Sequence, residues 1–244
     1  MEQPPGVEIV AGMGQALEEL LRRNREATGK LPDAMLVYRD GVSDSQLGAV
    51  VDKAGRAHEA GEVAVACAAI GGPPYAPPLT LLVVSKSHGL RMMAVTGGAD
   101  VGGERLPEVD NPLPGSVLDH TVTRPLAYRY YLASHAAIQG ASRPGKYQVL
   151  VVDRGLGPDT LQLVTHWLCF THGACSRSVR QPVPARYADQ AAAAAALLAK
   201  RGAWPQRQQT GGGSGGSGRA GAEQGPHYRM IPLADTLAGS HWYL

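Results

Sequence analysis

The sequence has little cysteine and no long apolar run. Its 244 residues include three cysteines, Cys67, Cys169 and Cys175, and their spacing matches neither a disulfide framework nor a zinc site. The longest strongly apolar stretch, near 191–199, is far shorter than the roughly 20 residues that cross a bilayer. No basic segment followed by an apolar run marks a secretory signal. We therefore expect a cytoplasmic protein without a membrane partner, with a nuclear location as the alternative.

The charge is nearly balanced overall but uneven along the chain. The formal net charge is +2. Residues 1–119 hold 10 basic and 16 acidic residues, residues 120–190 hold 8 and 3, and residues 191–244 hold 5 and 2. Arginine, at 18 against 5 lysines, suits bidentate contact with phosphate. The basic second half therefore indicates a nucleic-acid partner as a hypothesis to test.

Hydrophobic periodicity predicts an α/β protein in which strands alternate with helices. The predicted helices cover about 8–25, 43 or 44 to 70, 158–172 and 184–200. The predicted strands cover 34–38, 79–85, 91–96, 117–122, 127–134 and 147–153. A high content of glycine, proline and acid predicts a long loop over 97–116, and GGGSGGSG at 211–218 is typical of a flexible linker.

Six ordered motifs carry a resemblance to a known family. They are YRDGVS at 38–43, VVSKSH at 83–88, PGSVLDHTVTRP at 114–125, YLASHAAIQGASRPGKYQVL at 131–150, DTLQLVTHWLCFTH at 159–172 and CSRSVRQPVPARYAD at 175–189. Together they resemble the Piwi domain of eukaryotic Argonaute proteins. The resemblance implies a ribonuclease H-like fold, a mixed sheet flanked by helices. It predicts a Piwi domain over 1–200, a Gly-rich linker over 201–230 and a C-terminal Piwi tail over 231–244.

The resemblance also implies small-RNA-guided RNA binding and gene silencing, with a guide RNA and a complementary target RNA as partners. Slicing members of the family cut the target with two Mg²⁺ ions held by acidic or His side chains. By position, Asp40 and Asp189 match metal ligands and Glu8 matches the family's catalytic glutamate. Taken without the family, Asp40 with Gly41 is an ordinary turn, and the two other acids are ordinary helix residues.

The expected guide contacts lie in three basic segments. They are Lys86, His88, Arg91, Gln139, Ser142, Arg143, Arg177, Ser178 and Arg180. Arginine forks and loop amides suit phosphate oxygens, while ordinary solvated surface is the alternative. Ala174 and the run 191–196 stand where the family usually has arginine, so we expect a weaker phosphate grip. Partner proteins that present Trp are expected against the helix around 161–170, whose apolar stripe is otherwise core.

One expected metal ligand is missing. The family has a first Asp on an early strand ahead of Glu8, and residues 1–7 hold neither that motif nor room for a strand. We therefore expect an N-terminally truncated Piwi domain, with cleavage belonging to the complete parent protein. A guided scaffold that binds without cutting and an inactive fragment remain as alternatives.

Overall fold

The computed structural model describes Val10 and residues 12–51, 58–152 and 156–200. The chain divides into two compact units, Gly6–Tyr187, and Met1–Pro5 with Ala188–Leu244. The helices are α1 (Met13–Thr28), α2 (Leu47–Val50), α3 (His58–Gly71), α4 (Pro158–Leu168) and α5 (Val183–Lys200). The strands are β1 (Met35–Asp40), β2 (Leu79–Ser85), β3 (Ala94–Val101), β4 (Glu104–Asp110), β5 (Ser116–Leu118), β6 (Arg129–Ala133) and β7 (Gly145–Val152). None of the helices described is long and apolar enough to span a membrane.

The main sheet has five strands in the order β1-β2-β7-β6-β5. Strands β1 and β2 are parallel, with Asp40 beside Val84 at their carboxyl ends. Strand β7 runs antiparallel to β2, so its first residues meet the same edge, where Lys146 pairs with Ser85. The sheet is therefore mixed, and its topology brings the end of β1, the end of β2 and the start of β7 together.

Alternate residues of the strands pack against opposite faces of the sheet. On one face Leu82, Tyr130 and Tyr147 form the main core with Leu161 of α4 and Ala185 of α5. The rings of Tyr130 and Tyr147 stack with centroids 4.8 Å apart. This buried face fixes the register of the strands, because a slip by one residue would turn the apolar side chains outward.

The other face of β1 and β2 is covered by the first three helices. Leu81 and Val83 pack with Val50 of α2. Farther along, Leu21 of α1 and Cys67 of α3 form a separate cluster beside the start of both strands. Helix α1 ends at Gly29, whose φ of 73° suits glycine at a helix C-terminus.

The predicted loop over 97–116 is wrong, because most of it forms a hairpin of β3 and β4. Gly102 and Gly103 connect the strands with φ angles of 63° and 90°, as a tight two-residue hairpin turn requires. Both strands are exposed almost throughout, so they lack the apolar alternation that would have indicated strands. The Gly102-Gly103 pair indicates a hairpin turn, but the high content of glycine, proline and acid in the segment around it predicts a loop.

Helix boundaries differ from the prediction in three helices, and one of them is α4, which ends at Leu168 rather than near 172. The helix expected over 43 or 44 to 70 is interrupted, because α2 ends at Val50, Val51 is extended and α3 begins at His58. Two adjacent β-branched residues favour such a break. Helix α1 begins at Met13, after Gly12 in the left-handed conformation, and the expected start at Glu8 lies outside the described residues.

Candidate functional site

Asp40 lies at the carboxyl end of β1, in a cavity of about 560 Å³ that Asp44, Lys86 and Lys146 also line. Strand ends of this kind are where open α/β sheets carry ligands and catalytic groups. The cavity forms because Gly41, with a φ of 80°, turns the chain sharply after the strand.

The Asp40 carboxylate is held by three donors. Lys86 Nζ lies 2.9 Å from Oδ2, Gln181 Nε2 donates to the same oxygen at 3.1 Å, and the Gly41 amide donates to Oδ1 at 2.7 Å. Burial by itself would raise the pKa of Asp40, but the Lys86 ammonium and the Gln181 amide outweigh it and hold that pKa below its usual value. Asp40 is therefore ionised and oriented.

Asp44 is a second carboxylate in the same cavity, and it was not among the predicted site residues. Its oxygens accept from Lys146 at 2.5 Å and from Arg129 at 3.4 Å. Both cations are nearly buried, and Arg129 also donates to Gln148 at 2.8 Å. Lys146 is the main cause of the lowered pKa of Asp44. The cavity is thus lined by two acid–base pairs rather than by acids alone.

A larger cavity, of about 890 Å³, lies where the 139–143 loop meets the 175–180 segment. Six of the nine predicted guide contacts line it: Gln139, Ser142, Arg143, Arg177, Ser178 and Arg180. No aspartate or glutamate is among the described residues that form its wall. The surroundings are therefore positive and suited to an anion.

Polar atoms in the wall of this cavity lack protein partners. They are Ser142 Oγ, His135 Nδ1 and Arg180 Nε. Buried polar groups are normally hydrogen-bonded, so the wall keeps hydrogen-bonding capacity that the described protein atoms do not use. Burial, and then the nearby Arg180, lower the pKa of His135. His135 itself lines the cavity.

Asn111 holds the 139–143 loop, and sequence reasoning missed it. Its Oδ1 accepts from the Ser142 amide at 2.6 Å, and its Nδ2 donates to the Gly140 carbonyl at 3.0 Å. The signal was weak, because Asn111 follows the hairpin that was predicted as loop. It fixes the loop that carries three of the predicted contacts, Gln139, Ser142 and Arg143.

The three remaining predicted guide contacts lie outside the wall of the larger cavity. Lys86 faces Asp40, while its backbone carbonyl accepts from Arg180 at 2.5 Å. His88 Nε2 lies 2.8 Å from the Pro144 carbonyl, and the exposed Arg91 donates to the Leu90 carbonyl at 3.0 Å. The contacts of these residues with a guide stay predictions.

The predicted metal ligands are only partly described. Asp40 fits Mg²⁺, which prefers carboxylate oxygen, although Oδ2 is engaged by two donors. Asp189 is half-buried on α5, in the Ala188–Leu244 unit, and Glu8 lies outside the described residues. Within the described part of the chain, no three His, Cys, Asp or Glu side chains are grouped to hold a metal ion.

Helix α4, the expected wall for a Trp-presenting partner, has two different faces. Leu161 and Thr165 are fully buried, so one face is core, as the alternative interpretation held. Trp167 and Phe170 are exposed to 60% and 51%, and Phe170 lines the larger cavity. The contact with a partner stays a prediction.

Comparison with known proteins places this architecture in a family. The Piwi domain model matches residues 1–200. The chain is 37% identical over 224 residues to protein argonaute MEL1 of Oryza sativa subsp. japonica, covering 90% of this chain and 20% of that protein. It is 38% identical over 179 residues to protein argonaute 10 of Arabidopsis thaliana, covering 73% and 17%.

Solved structures agree. The Kluyveromyces polysporus Argonaute with a guide RNA has a TM-score of 0.67 at 28% identity, covering 78% of this chain and 23% of that one. The C-terminal lobe of a budding yeast Argonaute has the same score and identity and is covered to 38%. The fold and the family model thus define a Piwi domain. The chain belongs to the Argonaute family.

The predicted family and the α/β Piwi fold with a mixed sheet are confirmed. The chain spans about a fifth of the length of the curated argonautes it matches. The predicted linker over 201–230 and tail over 231–244 lie outside the described residues. The domain boundaries therefore stay predictions.

Proposed function

We propose that this domain holds the phosphate backbone of a small guide RNA in the larger cavity and serves guided silencing of a complementary target RNA. The observation that carries the proposal is the wall of that cavity, where three arginines and three serines meet without a described carboxylate. Phosphate contacts of this kind set position and affinity, whereas base pairing supplies sequence specificity. One similar solved structure, the yeast Argonaute, is described as holding a guide RNA.

The test is guide affinity in the complete natural protein that contains this sequence, called the complete protein below. A double variant, Arg143→Ala with Arg177→Ala, removes two charges from the cavity. We expect guide affinity to fall at least roughly tenfold for each arginine removed, because a hydrogen bond to a charged group contributes about 1.5–3 kcal/mol. With single-stranded RNA, the salt dependence of log K should also fall by about 0.7 for each phosphate that the variant no longer neutralises.

The matched control is Arg22→Ala with Arg23→Ala, which removes the same charge from the exposed face of α1. Both arginines pair with Glu19 there and line neither cavity. Equal loss of affinity in the control pair would mean that net charge alone attracts RNA, and the proposed cavity would be abandoned.

Asp40 supports a second step, Mg²⁺-dependent cleavage of the paired target in the complete protein. Asp40, Asp189 and Glu8 are the residues we assign to it. Bound Mg²⁺ would activate water and stabilise the leaving oxygen. The Asp40 carboxylate is ionised and opens into the smaller cavity, which supports its role as one ligand. Cutting that survives Asp40→Ala would exclude this site.

A guided scaffold that binds without cutting is the second candidate. The observation that favours it is the engagement of Asp40 Oδ2 by both Lys86 and Gln181, because a metal at that oxygen must displace a cation. Guide-loaded protein that binds target RNA but leaves it intact in Mg²⁺ would support the scaffold. A Trp-presenting partner at the exposed face of α4 belongs to either candidate.

A further inference from the structure

Helix α1 begins without a cap of its own. It starts after Gly12, no side chain of the helix caps its first amides, and its first turn contains no acid. The first amides of a helix need outside acceptors. Helix α3 supplies one across the helix pair, because Glu62 Oε2 accepts from the Gly14 amide at 2.9 Å. Glu59 Oε1 accepts at 3.0 Å from the amide of Val10, which precedes the helix.

Glu59 has a second set of contacts that Glu62 lacks. Its two carboxylate oxygens accept from Arg39 Nε at 3.1 and 3.0 Å. The Glu59 side chain is 0% exposed and that of Arg39 is 12% exposed, so the pair is almost fully removed from water. Removing one partner of such a pair leaves an uncompensated buried charge.

Arg39 also contacts the backbone of the site. Its Nη1 donates to the carbonyl oxygen of Asp40, the next residue in the chain. A continuous path of contacts therefore runs from the Val10 amide through Glu59 and Arg39 to the Asp40 backbone. Glu8, the predicted catalytic glutamate, precedes Val10 by two residues in the sequence.

A capping role alone does not account for these contacts. Glu62 shows that one carboxylate on α3 is enough to cap an α1 amide. A buried ion pair is also an inefficient source of stability, since apolar residues of the same volume commonly serve as well. What the pair supplies is a defined geometry, because one N–H of Arg39, at Nε, is shared between both oxygens of the Glu59 carboxylate.

We propose that Glu59 is a positioning residue of the Asp40 site, which holds the end of β1 in a fixed relation to the start of α1. The inference rests on the cleavage step of the proposed function. Glu59 lies outside the larger cavity, so it acts on the metal site and not on guide binding. Outer residues that orient ligands in this way commonly account for about 10- to 100-fold in metal affinity or activity.

The experiment compares Glu59→Gln with the matched control Glu62→Gln in the complete protein. Glutamine in either place keeps an oxygen for the backbone amide that the glutamate accepts from, Val10 for Glu59 and Gly14 for Glu62. Only the first change removes the carboxylate charge that faces Arg39. Mn²⁺ affinity is read by electron paramagnetic resonance, and cleavage is resolved into kcat and KM. For Glu59→Gln we expect a loss of about 10- to 100-fold in Mn²⁺ affinity and in kcat, with KM and guide affinity unchanged.

Because Glu59→Gln removes the carboxylate that faces the buried Arg39 guanidinium, a second variant serves as a control for misfolding. Arg39→Gln with Glu59→Gln removes both charges together, so it should fold and still show the loss. Wild-type values of Mn²⁺ affinity and kcat in that double variant would overturn the proposal. An equal loss in Glu62→Gln would overturn it as well, since capping would then explain the effect.

Failure of the proposed function has a different signature. Wild-type protein that binds guide but neither binds Mn²⁺ nor cuts would remove the cleavage step and leave the role of Glu59 to a structural measurement. Hydrogen exchange of the Gly41 amide, which donates to Asp40 Oδ1, then decides. Faster exchange in the double variant than in Glu62→Gln supports positioning, and equal rates overturn it.

Discussion

The ammonium of Lys86 lies 2.9 Å from Oδ2 of Asp40, so the residue predicted to bind guide phosphate is paired with the residue predicted to bind metal. Lys86 also accepts, through its backbone carbonyl, a hydrogen bond from Arg180 in the larger cavity. Gln181, the next residue, donates to Asp40. Residues 180 and 181 thus contact Lys86 and Asp40 from adjacent positions.

Replacing Lys86 should change the ionisation of Asp40. In Lys86→Met, burial remains while the ammonium is lost, so the pKa of Asp40 should rise. A carboxylate with a lowered folded pKa contributes stability above its unfolded pKa, and this stability is lost as the pH falls through its folded pKa. In Lys86→Met that contribution to the free energy of unfolding should be smaller. Carbon-13 NMR of the Asp40 carboxyl through an acid titration measures the pKa. The control Lys146→Met removes an ammonium from Asp44 instead, and a similar shift at Asp40 in both variants would contradict the direct pairing.

Loosening the 139–143 loop should weaken guide binding without changing its charge. Asn111→Ala removes two hydrogen bonds to that loop. We expect guide affinity to fall at least about fivefold, since two neutral hydrogen bonds of about 0.5–1.5 kcal/mol each contribute about 1–3 kcal/mol together. The salt dependence should stay that of wild type, because every arginine that faces phosphate remains. Affinity measured by fluorescence anisotropy at several salt concentrations tests both, and a changed salt slope would count against a purely positional role.

The core contains a hydroxyl cluster whose loss should be costly. The fully buried Thr165 donates to the Leu161 carbonyl at 2.7 Å and lies within 3.0 Å of the hydroxyls of Tyr38 and Tyr130. Burial raises the pKa of Tyr38 to about 12, so its hydroxyl stays a donor. In Thr165→Val, each tyrosine hydroxyl left without a partner should lower the free energy of unfolding by about 1–3 kcal/mol.

Urea denaturation measures that loss of unfolding free energy. Thr171→Val, at an exposed hydroxyl that donates to the Leu168 carbonyl, is the matched control and should change stability much less. Equal stability of the two variants would mean that the tyrosine hydroxyls find other partners.

Mild acid should destabilise the fold through half-buried histidines. Burial lowers the pKa of His88, His135 and His166 below 6.5, so the unfolded chain binds more protons than the folded one. The free energy of unfolding that these histidines contribute is therefore fully present above pH 6.5 and decreases as the pH falls below that value. Denaturation midpoints at about pH 7.5 and about pH 5.5 test this, in a window above the titration of the paired carboxylates. His135→Gln should reduce the pH dependence more than His120→Gln, which changes an exposed ring; an equal reduction would contradict the assignment.

Much of the fold could be predicted because buried strands and helices have recognisable patterns of apolar residues in the sequence. Strand β2, buried throughout its centre, was predicted at the bounds that the structure has. The hairpin of β3 and β4 could not be found in that way, because its strands face solvent and carry no periodic apolar signal. The break between α2 and α3 depended on two valines whose preference is small beside that of a long helical pattern.

The candidate site likewise has features that the sequence predicts and features that only the tertiary structure shows. The sequence alone determined the family, the turn after β1 that exposes Asp40, and the arginine-rich segments that meet at the larger cavity, because those features lie in local motifs. The tertiary structure decided which charges meet: Lys86 with Asp40, Lys146 with Asp44, and Glu59 with Arg39 and the Val10 amide. Such pairs join residues as far as 102 positions apart, and only the register of the sheet and the packing of α3 on α1 bring them within hydrogen-bond distance.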